Sequence, residues 1–316
     1  MPNLNAADIE KLCDDWLAAS TQGGDMVLGA ETEKYRLLAN GVQFHELDHA
    51  TLCVTLLSLS KVLLRPGLNT IVDHDHFAAW SWCGQLLLAG RSSVFPIEER
   101  EIQSLYAASI HAALVGCREP PATREEWTEM CRTDALQPHH SKQLLQQSSL
   151  VLAYLTFPLL EAVLKRACTA YVAYDGQVVS AFSVPTRQGA PNTKLYGPAG
   201  APGSAKCSSL RDLLFLHQTL VASPDQKALL DRFRAHLNTI DAAQDPFDLI
   251  YSWRNQSLHG STNFQTIGGT MLSLALLISL FEIEQDFEKR RLKTVDICRW
   301  EAQSPTRSPW SFYPPY

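Results

Sequence analysis

The eight cysteines, at positions 13, 53, 83, 117, 131, 168, 207 and 298, contain no Cys-x-x-Cys pair and no finger spacing. That excludes the usual zinc-finger and thioredoxin-like motifs. Most of them sit inside apolar helical patterns, so they read as the reduced, buried thiols of a cytoplasmic protein. No secretory leader is expected either: the chain opens Met-Pro-Asn-Leu-Asn and runs into an acidic helix, with no basic or long apolar stretch. The sequon Asn255-Gln256-Ser257 is then a coincidence of composition. Charge is scarce, at 19% against 46% hydrophobic in 316 residues, the balance of an ordinary globular protein rather than a disordered one.

No basic excess exists either, since the net charge is −6, which excludes a chain coated in positive charge. The halves differ, however. Residues 1–140 carry 10 Lys+Arg against 19 Asp+Glu, a balance of −9, and residues 141–300 carry 16 against 13, a balance of +3. A polyanion is therefore expected on the C-terminal half. Residues 261–281 lack charge altogether, which raises a transmembrane reading. Gly268-Gly269 and six polar side chains before Met271 leave eleven strongly apolar positions. A span needs ~20, so a buried bundle helix is expected and no membrane is called for.

Along the chain the periodicity is helical. Helices are expected from Asn5, at 30–39, 46–64, 74–90, 97–116 and 123–134, broken by Arg65-Pro66-Gly67, Pro96 and Pro120-Pro121. No strand-like alternation interrupts them, so residues 1–138 read as an all-helical N-terminal domain. A long helix is expected over 141–169, kinked at Pro158. The alternation around Asp175-Gly176 predicts a small β-hairpin, and residues 185–207, with four prolines and four glycines, read as a long loop. Helices resume at 208–221, 224–239, 246–259 with Pro246 at its first turn, and 264–290. The fold class is thus mainly α: two helical domains, 1–138 and 139–300, and a Pro- and aromatic-rich tail at 301–316.

The most informative stretch is Tyr251-Ser-Trp-Arg-Asn-Gln-Ser-Leu-His-Gly260. Phe247, Ile250, Tyr251 and Leu258 share one helical stripe, and Arg254 falls on it at i+7. An arginine there requires a partner, an interface or an anion. Asn255 and His259 lie one turn apart, and Gly260 reads as the residue that ends the helix. The segment offers a fixed cation, a polar orienter and a group that titrates near neutrality. Acid–base chemistry at a phosphate requires a group that takes and gives protons and a cation for the developing charge. His259 suits the proton transfers, Arg254 the charge, and Asn255 the orientation of ring or phosphate. The structural alternative pairs Arg254 with a carboxylate such as Asp248 or Asp231 and leaves His259 as a helix cap.

This Arg-Asn-x-x-x-His-Gly pattern, followed by a long apolar helix, resembles the Arg-x(4–6)-His signature of the HEPN superfamily over roughly residues 141–293. The resemblance implies a HEPN-like helical bundle in the C-terminal domain, elaborated here by the hairpin. It also implies metal-independent endoribonuclease activity of a toxin or antiviral effector, with no metal and no cofactor, and a composite site at a homodimer axis where two Arg254 and two His259 meet. RNA is the implied partner, and Arg232, Arg234, Lys289, Arg290, Arg291 and Lys293 are candidate RNA contacts. The N-terminal domain is expected to act as sensor or platform for a regulatory partner or ligand. A second reading is a non-catalytic dimerising module that binds nucleic acid or protein.

One histidine motif offers a third. His45-Glu46-Leu-Asp-His49 is a literal H-E-x-x-H, which on one helix sets two zinc ligands beside a general base. Asp48 and the position at a helix start weigh against a zinc hydrolase there. Asp73-His-Asp-His76 is more simply an acidic helix N-terminus, and His139-His140 falls at the expected domain boundary.

Overall fold

A computed structural model describes residues 4–22, 25–26, 30–64, 72–88, 94–115, 123–136, 138, 147–187, 192–258 and 265–303. The chain is mainly helical. Its helices are α1 (Ala6–Ser20), α2 (Ala30–Glu33), α3 (His49–Leu63), α4 (His74–Leu88), α5 (Arg100–Val115), α6 (Arg124–Leu136), α7 (Ser148–Ala167), α8 (Leu210–Leu216), α9 (Pro224–Ile240), α10 (Pro246–Leu258), α11 (Gln265–Glu282) and α12 (Phe287–Ala302). Two antiparallel pairs accompany them: β1 (Thr21–Gln22) with β2 (Asp25–Met26), and β3 (Phe182–Pro185) with β4 (Thr193–Tyr196).

The uncharged helix α11 is the centre of the packing, against α7 on one side and α3 and α4 on others. Its glycines explain the close approach. A Cβ on Gly268 would lie 2.8 Å from the backbone nitrogen of Ala153 in α7, and one on Gly269 would lie 2.8 Å from Leu63 Cδ1 in α3. Two of its buried hydroxyls are matched inside: Trp80 Nε1 donates to Ser273 Oγ at 3.0 Å, and Ser279 Oγ meets the Tyr106 hydroxyl, which in turn donates to the Ala275 carbonyl at 2.8 Å. Helices from both sides of position 138 thus pack on α11, and one cluster of buried apolar side chains takes in residues from both. By length and apolar composition α7 is the described helix that meets the requirement for crossing a membrane; here it lies against α5 and α11.

Local chemistry sets the boundaries. α3 begins at His49 rather than near residue 46, because Asp48 caps it by accepting from Thr51 N at 2.7 Å while Phe44–Glu46 forms a separate 3-10 turn. α9 opens with a capping box between Ser223 and Gln226 and Pro224 in its first turn. α8 continues into a π-helical turn over His217–Val221. The turn expected at Asp175-Gly176 is present, with Ala173 N donating to the Gln177 carbonyl at 2.8 Å. Its arms are joined by an antiparallel bridge between Val172 and Val178, with Val179 N donating to the Tyr171 carbonyl at 2.8 Å, and Val178 N turns outward to the Ala205 carbonyl at 2.9 Å. The paired strands are β3 and β4, so the stretch 185–207 is not all loop. Only Tyr196 of β4 is buried, which leaves no alternation to read in that strand. The start of the long helix expected at 141 and the greater part of the tail lie outside the described residues.

Candidate functional site

α10 is set by Asp245, whose carboxylate accepts from Phe247 N at 2.9 Å just before Pro246. Its buried residues, among those described, are Pro246, Phe247, Leu249, Ile250, Trp253 and Ser257. The apolar stripe therefore runs through Trp253, and Arg254 and Tyr251 fall on its flanks. At 3.6 residues per turn, positions 253 and 254 both border a stripe centred on Ile250, and the large apolar ring takes the inner place.

Arg254 is half-buried, its side chain 32% exposed, and Nη2 lies 3.6 Å from Oε2 of Glu161 on α7. The carboxylate opposite it is neither Asp248 nor Asp231. Asp248 holds Arg211, and Asp231 accepts from Gln218 Nε2 at 2.6 Å. Glu161 is shared, since its Oε1 stands 2.9 Å from Lys165 Nζ. Arg254 Nη1 reaches Asn255 Oδ1 at 3.4 Å, so both contacts of the guanidinium are long ones. The last turn of α10 is tied to α7 by Tyr154, whose hydroxyl donates to the Ser257 carbonyl at 3.0 Å. His259 and Gly260 lie outside the described residues.

Asn255 opens onto a cleft of about 630 Å³ bounded by α8, α9, α10 and the segment after β3. Asp248, Tyr251, Ser252, Asn255 and Gln256 line it from α10, one stripe of that helix. Three guanidiniums face them, from Arg187, Arg211 and Arg234. Arg211 is buried and fixed by Asp248 Oδ1 at 2.7 Å, Asp212 Oδ1 at 2.9 Å and the Pro185 carbonyl at 2.6 Å. Arg234 lies between the rings of Phe215 and Phe247, with Nη2 donating to Asp245 at 2.5 Å and Nη1 to Gln218 at 3.0 Å. Arg187 lies over the ring of Tyr251 at 4.9 Å. Behind this wall, burial alone would push the Asp212 carboxyl up, but hydrogen bonds from Tyr196, Arg211 and Lys194 outweigh it and hold it below its ordinary value.

The remaining candidates are dispersed. Arg232 donates to Glu10 of α1 at 2.6 Å, beside Lys61 and away from Arg254's partners. On α12, Arg290 donates to Asp286 at 2.7 Å, and Arg291 bonds Glu288 and the His45 carbonyl, at 3.0 Å for the latter. Lys289 and Lys293 are exposed. The partners named here for Arg290 and Arg291 all lie outside the cleft. Only Arg234 of the six expected RNA contacts shares a site with Asn255.

The H-E-x-x-H motif does not lie on one helix. His45 and Glu46 belong to the 3-10 turn and His49 opens α3, where its Nε2 meets the Leu280 carbonyl at 2.9 Å. A nitrogen that donates to a carbonyl has no lone pair to offer zinc. Burial pushes His45 below its ordinary value, against the opposing pull of Glu46. The second motif is structural: Asp73 Oδ1 meets His76 Nδ1 at 2.6 Å and Asp73 pairs with Arg36, while Asp75 accepts from Leu37 N at 2.7 Å and Leu38 N at 2.9 Å. Among the described residues no group of three or more His, Cys, Asp or Glu is placed to hold a metal ion. His139-His140 lies outside them.

Sequence reasoning missed Glu161, Arg187, Arg211 and the cleft role of Tyr251. Arg211-Asp212, a charged pair set between Leu210 and Leu213-Leu214, was the available signal. Comparison with protein-family models, curated proteins and solved structures finds no match to this chain.

Proposed function

We propose that the protein is a metal-independent endoribonuclease of HEPN type, acting in the cytoplasm as a toxin or antiviral effector. The supporting observation is the juxtaposition along α10 of a half-exposed, weakly tethered Arg254, its neighbour Asn255, and a cleft carrying three guanidiniums. A guanidinium held only at 3.6 Å and 3.4 Å keeps donor capacity for a phosphate oxygen. In this reading the 2′-oxygen attacks phosphorus and the bond from phosphorus to the 5′-oxygen breaks. One His259 takes the 2′-hydroxyl proton, and a second, from the partner subunit of a two-fold dimer, protonates the leaving oxygen. Arg254 stabilises the charge that develops on the phosphoryl oxygens, and Asn255 orients the reacting groups.

The test is cleavage of bulk tRNA and mRNA in excess EDTA by the wild type, Arg254→Ala and His259→Ala, each checked for folding and dimer state. Cleavage lost in both folded variants supports the assignment. Cleavage retained by either removes that residue from the mechanism.

The Glu161 contact favours a second reading, a non-catalytic dimerising module in which Arg254 is a structural cation. Under that reading Arg254→Ala destabilises the fold and RNA is never cut.

A further inference from the structure

The cleft beside Asn255 has a donor surplus that its own carboxylates do not absorb. Its lining contains three arginines and two aspartates. Both aspartates are already engaged: Asp245 by Arg234 at 2.5 Å and by Phe247 N at 2.9 Å, and Asp248 by Arg211 at 2.7 Å and by Arg187 at 3.3 Å. One carboxylate oxygen, Asp248 Oδ1, thus serves two guanidiniums. The lining retains a formal positive charge, which disfavours a cation and suits an anion. The spare hydrogen-bonding capacity is likewise on donors. Arg234 Nε is buried without a partner among the described residues. Arg187, 66% exposed, uses only Nε toward Asp248, and its two terminal nitrogens have no hydrogen-bond partner among the described residues. Thr186 Oγ1, also lining the cleft, is buried and unpartnered among them. Tyr251 adds an aromatic ring of the kind on which bases stack. A volume of about 630 Å³ is ample for one nucleotide unit.

We infer that this cleft is a subsite for the phosphate of a ribonucleotide, with Arg187 as its principal contact and Tyr251 as the surface for the base. The identity of the ligand as a ribonucleotide rests on the ribonuclease reading; the preference for an anion does not. Arg211, braced by Asp212, Asp248 and the Pro185 carbonyl, and Arg234, held by Asp245 and Gln218, fix the wall in place, so Arg187 is the group most available to the ligand.

Binding, not cleavage, tests this. The probes are a mixture of the four nucleoside 5′-monophosphates and an uncleavable 2′-O-methyl oligoribonucleotide, titrated by calorimetry or NMR into the full chain, wild type, Arg187→Glu and Tyr251→Ala. The wild type is expected to bind at least one probe with an affinity that falls as salt rises. Arg187→Glu, an exposed substitution, is expected to weaken it tenfold or more, and Tyr251→Ala, given equal thermal stability, severalfold. Binding of the oligonucleotide alone assigns the site to a phosphodiester of a strand; binding of the monophosphates without competition from the oligonucleotide assigns it to a free nucleotide. Absence of binding by both probes, or binding indifferent to Arg187→Glu, overturns the proposal. Arg187-dependent binding by a protein that never cuts RNA removes the ribonuclease reading and leaves the subsite standing.

Discussion

Arg254→Ala is expected to leave the protein folded, with a loss of about 1 kcal/mol. Two unit charges 3.6 Å apart attract by about 4–5 kcal/mol at an effective dielectric near 20. Both partners keep part of their hydration, however, at 32% and 21% side-chain exposure, and Glu161 retains Lys165 at 2.9 Å when Arg254 is gone. Exposed and half-exposed pairs typically contribute ~0.2–1 kcal/mol after screening and desolvation, and the lost packing of the alkyl stem adds a few tenths. For 316 residues the unfolding entropy, at about 2.1 cal/mol/K per residue, is about 0.66 kcal/mol/K, so 1 kcal/mol corresponds to a melting shift of about 1.5 °C. Thermal unfolding of the wild type, Arg254→Ala, Glu161→Gln and the double variant would measure it, with a coupling of about 0.5–1 kcal/mol expected from the cycle. Breaking a fully buried ion pair costs ~3–5 kcal/mol, or about 5–8 °C here. A loss of that size would refute the reasoning and make Arg254 a structural cation.

Two further predictions test the packing around the site. Gly268→Ala gains up to ~1 kcal/mol of helix propensity, but its Cβ meets the Ala153 backbone nitrogen at 2.8 Å, where overpacking costs ~1–3 kcal/mol, so a net loss of up to about 2 kcal/mol is expected in thermal unfolding. Burial pushes His217 down to about 4 from its ordinary value, so the unfolded chain binds a proton that the folded one refuses. Stability supplied by this group is present above about pH 6.5 and falls as the pH drops toward about 4. His217→Gln should flatten the melting temperature across that window, and an unchanged slope would exclude the residue as its source.

Helices α1 and α9 were legible because apolar spacing near 3.6 residues reports one buried face, through Ile9, Cys13 and Trp16 and through Leu230, Phe233 and Leu237, whereas α3 and α11, buried nearly all round, were legible as long apolar runs. Glycines and prolines marked most breaks. The β3–β4 pair was not legible, because β4 buries only Tyr196; the Asp175-Gly176 hairpin was, and its arms bond across the turn at Val179 N to the Tyr171 carbonyl. Arg254 and Asn255 were found from their spacing, and both border accessible surface. Their surroundings were not, because Glu161 lies 93 residues earlier in the chain and Arg187 lies 67 earlier, and contacts of that range leave no periodic trace. Nor does the count of basic residues reveal which are free. Arg232, Arg290 and Arg291 each have a carboxylate partner, whereas Arg187 shares one with Arg211.

The most direct measurement is the chemistry of the cut itself. An oligoribonucleotide with a mapped cleavage position would be incubated with the protein in excess EDTA, beside a copy carrying a single 2′-deoxy substitution at that position. The account predicts 2′,3′-cyclic phosphate and 5′-hydroxyl ends from the first and no cut at the substituted position in the second. Cleavage of the deoxy copy there, or 3′-hydroxyl ends from the all-ribose strand, would contradict it.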